Sequence, residues 1–275
     1  MTQRAGRVLV ALVLGGCALA AAARAQESAP PAEIADNSFL IEEAYNQERG
    51  VVQHISTFMW SRSTHSWLYT FTQEWPLFGQ RSQLSFTVPL DGAGGKARIG
   101  DVALNYRYQL AGPASRVSAS PRISVLAPTG SAAAGVGAGG VGLQANLPVS
   151  VEVAPSLVTH WNAGATLTPS ASNGTGARAT TTSYNLGASA IWRPLPTFHF
   201  MLEVVWSQVE AVVGSGVTTD ERELLISPGV RWAHNLSSGL QIVPGIAFPI
   251  GVGPSRGDNA VFLYLSFEHA FMKTP

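Results

Sequence analysis

From about residue 50 to the C-terminus, apolar and polar side chains alternate with a period of two. Leu84, Phe86, Val88 and Leu90 are interleaved with Gln83, Ser85 and Thr87. Val102, Leu104, Tyr106, Tyr108 and Leu110 are interleaved with Asp101, Ala103, Asn105, Arg107 and Gln109. The same holds for Leu143 to Val151, Phe198 to Trp206 and Val261 to Phe267. Strict alternation predicts strands with one apolar and one polar face. It predicts twelve of them, at 50–60, 64–75, 80–90, 100–110, 116–127, 140–153, 156–167, 182–193, 197–208, 222–234, 239–249 and 259–271, with ten or fourteen as the alternatives. A soluble sandwich alternates too, so the pattern alone does not say what covers the apolar face.

The joints between strands separate the two architectures. Every second joint is tight: Leu77-Phe78-Gly79, Ala111-Gly112-Pro113, Ala154-Pro155, Pro194-Leu195-Pro196 and Leu236-Ser237-Ser238. The joints between these, at 91–99, 128–139, 168–181, 210–221 and 251–258, read as longer loops rich in Gly, Ser, Thr and Ala. Only the first, near residues 62–65, is short. Short turns at one end and long loops at the other are the pattern of an outer-membrane barrel, with the short turns periplasmic. Trp75, Tyr108, Trp192, Phe198, Trp232 and Phe271 fall near the short-turn ends, where aromatic rings suit a membrane–water boundary. Composition agrees: 46% of residues are apolar and only 12% charged. Beyond the first 25 residues no apolar run is long enough for a spanning helix, and in lipid only helices and closed barrels satisfy their own backbones. A formal net charge of zero gives no electrostatic case for nucleic acid.

Residues 1–25 read as a signal peptide. Arg4 and Arg7 supply a positive start, Val8 to Ala22 an apolar run, and Ala23-Arg24-Ala25 a small-residue cleavage site. The single cysteine, Cys17, lies inside it, and Leu14-Gly15-Gly16-Cys17 offers a lipoprotein cleavage box as the competing reading. Residues 26–49 form a polar periplasmic leader, with Glu42, Glu43 and Glu48 around a short apolar patch, Phe39-Leu40-Ile41. It reads either as a free tail or as a plug that docks into the lumen, its glutamates meeting lumen arginines. The barrel is expected over 50–275.

Inward positions carry Asp101, Arg107, Arg122, Glu152, His160, Arg193, His199, Glu203, Glu223, Arg231 and Glu268, which would line or fill the lumen. Their signs are mixed, so they predict neither an anion nor a cation pore. They could form a selective eyelet or a salt-bridged plug. Arg193, Glu203 and Arg231 lie on consecutive strands and invite a cross-strand network. Pro121, Pro148, Pro228, Pro244 and Pro249 sit within periodic segments although each removes a ladder donor. Pro228-Gly229 and Pro244-Gly245 are equidistant from the turn near Leu236 and are expected to face each other, as a wall kink, a weak seam or a pair of bulges. The six histidines have no metal-ligand spacing, and Gly135 to Gly142 lacks the following helix that a phosphate loop needs. No cofactor, metal or catalytic residue is expected. The rival class is an outer-membrane lipid hydrolase built on His54 and Ser56, which share one face but have no third member.

Gly100-Asp101-Val102-Ala103-Leu104-Asn105-Tyr106-Arg107-Tyr108, Leu126-Ala127-Pro128-Thr129-Gly130, Ile226-Ser227-Pro228-Gly229-Val230-Arg231, Val243-Pro244-Gly245-Ile246-Ala247-Phe248-Pro249 and Phe262-Leu263-Tyr264-Leu265-Ser266-Phe267-Glu268-His269 resemble segments of the outer-membrane "meta-pathway of phenol degradation" proteins. The resemblance runs over most of the chain from about residue 37. It implies a transporter-like barrel that passes small hydrophobic or aromatic compounds. Such barrels usually end on an aromatic residue read by the assembly machinery; here Met272-Lys273-Thr274-Pro275 follow Phe271. The expectation is therefore an all-β, up-and-down antiparallel barrel of the bacterial outer membrane. Its partners would be membrane lipid, the barrel-assembly machinery and a small solute taken up passively. A structural or surface-interaction barrel without transport is the alternative.

Overall fold

The computed structural model describes residues 33–34, 38–93, 96–112 and 115–271. Residues 1–25, read above as a signal peptide holding Cys17, much of the leader before Ser38, and the last four residues lie outside the described residues. The rest is a single closed antiparallel barrel of twelve strands, each paired with its neighbours in sequence. They are β1 (Val51–Ser61), β2 (Trp67–Pro76), β3 (Ser82–Ala93), β4 (Lys96–Ile99 and Val102–Tyr108), β5 (Val117–Ala119 and Arg122–Ala127) and β6 (Gly142–Ala154). They continue with β7 (Leu157–Ser172), β8 (Arg178–Leu195), β9 (Phe198–Gly214), β10 (Val217–Trp232), β11 (Gln241–Ala247 and Ile250–Gly251) and β12 (Ala260–Ala270). The barrel closes where β1 pairs with β12, in register from Val51↔Ala270 to Ser61↔Ala260, which leaves no exposed sheet edge. Proline explains two of the interruptions: Pro121 falls in the break of β5 and Pro249 in that of β11, each lacking the N–H a ladder requires.

The molecule is apolar outside and mainly polar inside, with an apolar cluster among the inward residues that includes Ile191, Met201, Val243 and Phe262. Leu104, Ile123, Leu143, Leu186, Leu202 and Leu263 are all exposed on the outer wall, whereas Gln53, Gln83, Asn105, Ser150, His199 and Glu203 are buried. No second sheet covers the apolar face among the described residues. Outward aromatic rings gather at both ends of the wall: toward the short turns Trp192 stacks on Phe200 at 5.3 Å and Phe198 meets Phe200 edge-on at 5.1 Å, and at the opposite end Phe58 stacks on Trp67 at 5.8 Å.

Three expected loops are largely strand instead: within 91–99, β3 runs on to Ala93 and β4 begins at Lys96. β7 runs on to Ser172 and β8 begins at Arg178, while β9 and β10 are joined by a turn at Ser215-Gly216, with Gly216 at φ 72°. The residues read as loop there, among them Thr180, Thr181, Val212, Val213, Val217 and Thr218, are β-branched strand formers. At about 3.3 Å per residue and the usual tilt, ten or eleven residues cross an apolar band of about 25 Å. The 16 to 18 residues of β7 to β10 therefore extend beyond it. Outside lipid the wall no longer needs one apolar face, so the periodic signal fades although the strands persist.

Candidate functional site

The lumen is occupied by the chain's own leader. Ile34 N–H donates to the carbonyl of Pro196 (3.1 Å), at the short turn between β8 and β9. From Ser38 onward the leader lies inside the barrel, then crosses it to enter β1 at Val51. Wall side chains take its backbone N–H groups. Leu40 donates to both oxygens of Glu203 (3.0 and 3.2 Å), Glu42 to Asn162 Oδ1 (3.0 Å), Ala44 to Ser150 Oγ (2.8 Å) and Gln47 to Gln83 Oε1 (2.8 Å). Its carbonyls accept in turn. Asn162 Nδ2 donates to Glu42 O (2.7 Å), Arg107 Nη1 to Glu43 O (3.0 Å) and Tyr45 O (3.1 Å), and Gln109 Nε2 and Ser120 Oγ to Ala44 O (2.8 and 3.0 Å). A segment with no strand partner thus meets the rule that buried backbone polar groups are paired, using side chains from β3 to β7 and from β9.

Three side chains of the leader fix its register. Glu42 is gripped by Arg122, whose Nε lies 3.0 Å from each carboxylate oxygen and whose Nη2 lies 2.6 Å from Oε1. Burial disfavours the Glu42 carboxylate, but Arg122, with help from Arg107 and Asn146, outweighs this and holds the group below its ordinary value. Phe39 packs on Tyr264 (5.1 Å between ring centroids) and Phe262 (5.6 Å). Its ring lies over Gly229 and Gly245: a Cβ added to these would come within 2.9 Å and 2.4 Å of it. Ile41 uses a third recess, at Gly187, where an added Cβ would lie 2.9 Å from Cδ1. Nearby, burial and the carboxylates of Glu43 and Glu152 push the Tyr45 phenol up to about 12, so it stays neutral.

The inward residues read from the sequence all occupy the lumen side of the alternation, but they divide by task. Arg107, Arg122 and Glu203 hold the leader. His160 hydrogen-bonds Ser150 (2.7 Å) and stands edge-on to Tyr45, supporting the Ala44 contact. Arg231 Nε donates to His199 Nδ1 (3.2 Å). Arg193 pairs with Glu152 (3.1 Å), on a strand two away, rather than with Glu203, whose carboxylate faces the leader. Asp101 serves the opposite rim, where it accepts from Gly130 N–H (2.9 Å) and Ala138 N–H (2.7 Å) and ties down the loop before β6. Glu268 lies opposite Gln53 and Gln241 at the short-turn end, and Glu223 lies exposed toward the outer rim. Sequence reasoning misses Asn162, Ser150, Ser120, Gln83 and Gln109 as leader contacts. Their only signal was polarity at inward positions, shared with every other lumen residue.

The two Pro-Gly pairs do not face each other. The turn between β10 and β11 centres on Ser238, with Gly239 at φ 84°, later than Leu236, so the register places Gly229 opposite Ala247 and Gly245 opposite Arg231. The glycines become diagonal neighbours on one face, which is what lets one phenyl ring cover both. This seam is also thin: β10 meets β11 through three register pairs and then two more, against sixteen with β9.

His54 and Ser56 turn to different neighbours on the outer wall. His54 Nε2 lies 3.3 Å from His269 Nε2, and Ser56 Oγ lies 3.1 Å from the Tyr69 hydroxyl. Among the described residues no group of three or more His, Cys, Asp or Glu side chains is placed to hold a metal.

Fold and site together define a twelve-stranded barrel of the outer-membrane type, closed from within by its own N-terminal segment. Its fold is similar to that of the COG4313 outer membrane channel from Pseudomonas putida F1, at TM-score 0.60 and 13% identity over 82% of this chain and 97% of that one. It is also similar to the NanC porin (TM-score 0.53, 8% identity, 78% of this chain and 98% of that one) and the KdgM porin (0.50, 9%, 78% and 98%). No family model and no curated protein matches the sequence.

Proposed function

We propose that the chain is a channel of the bacterial outer membrane for passive uptake of small apolar or aromatic solutes, held closed by its leader until the leader shifts. The observation that carries this reading is the way the lumen is filled. It holds a noncovalent segment seated by hydrogen bonds that water can replace, by one ion pair and by apolar contacts with wall residues such as Phe262 and Tyr264. Below the rim a cavity of about 430 Å³ remains beside the leader, lined by Ile55, Met59, Leu68, Thr70 and Phe262 among others. The likeness in fold to porins supports the channel reading. The resemblance to the phenol meta-pathway proteins supports aromatic solutes and marks that family as the one to test first. Export through the segment at 1–25, insertion by the barrel-assembly machinery and contact with membrane lipid belong to the same proposal.

The test is conductance in planar bilayers. The full chain should show rare openings from a closed baseline, and a variant lacking 33–47 should conduct steadily. A leaderless barrel that inserts but never conducts would leave a structural barrel as the better account.

A further inference from the structure

The cavity between the leader and the first strands has a composition that selects among solutes. It runs from Met59 and Leu68, beside the outer turn between β1 and β2, down to Phe39, Leu40 and Glu42 of the leader. Its apolar lining comes from Phe39, Ile55, Met59, Leu68 and Phe262. Set among these on the β1–β2 wall are threonines at successive inward positions of β2, each matched across a strand. Thr70 bonds Thr57 (Oγ1 to Oγ1, 2.6 Å) and Thr72 bonds Thr87 (2.9 Å). A hydroxyl has one donor and two acceptor sites. Each pair uses one donor and one acceptor, leaving one O–H and three lone pairs to share with a guest. Valine would have filled the same space without offering them.

The charges lining this space are already engaged. Arg122 donates to Glu42, Asn105, Ser124 and Gln144. Arg107 donates to two leader carbonyls and faces Glu74 at 3.5 Å; only its fully buried Nε lacks an acceptor. An anionic guest would lose its hydration and find no free cation here, whereas a neutral hydroxyl would meet donors and acceptors. For scale, an apolar cavity of roughly 150 Å³ holds one benzene ring, so this one has room for a ring, a short substituent and a few waters.

We propose that this cavity is a binding site for a neutral amphiphile, a single apolar ring or short chain bearing a hydroxyl group, and that it discriminates against the corresponding carboxylate. The ligand class deepens the channel reading and rests on it for its purpose, but binding and flux are separable. The test uses the purified full-length chain in detergent, with ¹⁹F NMR titrations of 4-fluorobenzyl alcohol, 4-fluorobenzoate and 4-fluorotoluene against a micelle blank. The alcohol should bind saturably, with the benzoate at least about tenfold weaker. The isosteric pair Thr70→Val with Thr72→Val should weaken the alcohol by about tenfold, near the worth of one hydrogen bond, and leave 4-fluorotoluene unchanged. Leu68→Trp should abolish saturable binding of all three. The proposal is overturned if benzoate binds as tightly as the alcohol, or if alcohol binding ignores both the valine pair and the tryptophan. Liposome flux of the alcohol is measured alongside. Saturable binding without flux supports the site and removes the channel; flux with no saturable binding does the reverse.

Discussion

Gly245→Ala should loosen the leader although it adds one methyl group to a strand that tolerates alanine. The added Cβ would lie 2.4 Å from Phe39 Cζ and 2.7 Å from Cε1. The ring cannot step aside, because Phe262 and Tyr264 pack on it and Gly229 lies close beneath. If the ring leaves its seat, the leader loses the burial of one phenylalanine, about 2 kcal/mol, with further loss from the two aromatic contacts. The ratio of seated to unseated leader should fall by about thirtyfold. Open fraction in planar bilayers reads this directly. Gly112→Ala is the control, since its Cβ meets nothing nearer than 3.7 Å. Phe39→Ala should open the channel as Gly245→Ala does, and the double variant should be no more open than Phe39→Ala alone, because the two act through one contact. If Gly245→Ala raised the open fraction equally with and without Phe39, the steric reasoning would be wrong and the effect would belong to the wall.

Arg122→Met should open the channel more than Glu42→Gln: the first strands a largely buried carboxylate, the second keeps a hydrogen-bonding amide beside the guanidinium. The difference should be on the order of 1–2 kcal/mol, discounted for the partial exposure of Glu42, and comparing the two open fractions checks it. Because Glu42 is held below its ordinary 4.5, its contribution is complete above that value and disappears as pH falls through the lowered one. Openings should therefore increase on acidification below that ordinary value, and Glu42→Gln should flatten that response; an unchanged response in the variant would assign the effect to other carboxylates. By hydrogen exchange, amides flanking Pro228 and Pro244 should exchange faster than those between β9 and β10, where the ladder is three times as long. Equal protection would show that the thin seam is not weak.

The twelve strands, the closed meander and the inside-out distribution of polarity were legible because lipid imposes them on every second residue. The barrel's height is not: 91–99, 168–181 and 210–221 lose their alternation where the wall leaves the apolar band, so they read as loops although most of their residues are strand. Polarity at inward positions was equally legible, but the division of labour was not. Nothing local distinguishes Arg107, which holds two leader carbonyls, from Arg193, which pairs with Glu152 near the short turns. That difference is set by where a segment about 65 residues earlier in sequence comes to rest. The Pro-Gly pairs show a subtler limit. A turn centred on Ser238 rather than nearer Leu236 changes who opposes whom, and with it the role of Gly229 and Gly245 from facing kinks to a seat for Phe39.

The leader's backbone contacts alone would accept almost any extended segment, since Glu203, Asn162, Ser150 and Gln83 bind amides and not side chains. Sliding the leader by two residues would keep that pattern of donors. It would also pull Phe39 off its two glycines, Ile41 off Gly187 and Glu42 off Arg122. Register is therefore carried by the run Phe39-Leu40-Ile41-Glu42, the one place where an otherwise polar leader turns apolar and then acidic. The same division bears on opening. When the leader withdraws, water enters the lumen and rehydrates wall and leader alike, so each backbone hydrogen bond contributes only its small net worth, about 1 kcal/mol or less. Water cannot replace the burial of Ile34, Phe39 and Ile41. The energy difference between closed and open then resides mainly in three apolar side chains and one ion pair, few enough that a small solute entering beside Phe39 could compete with them.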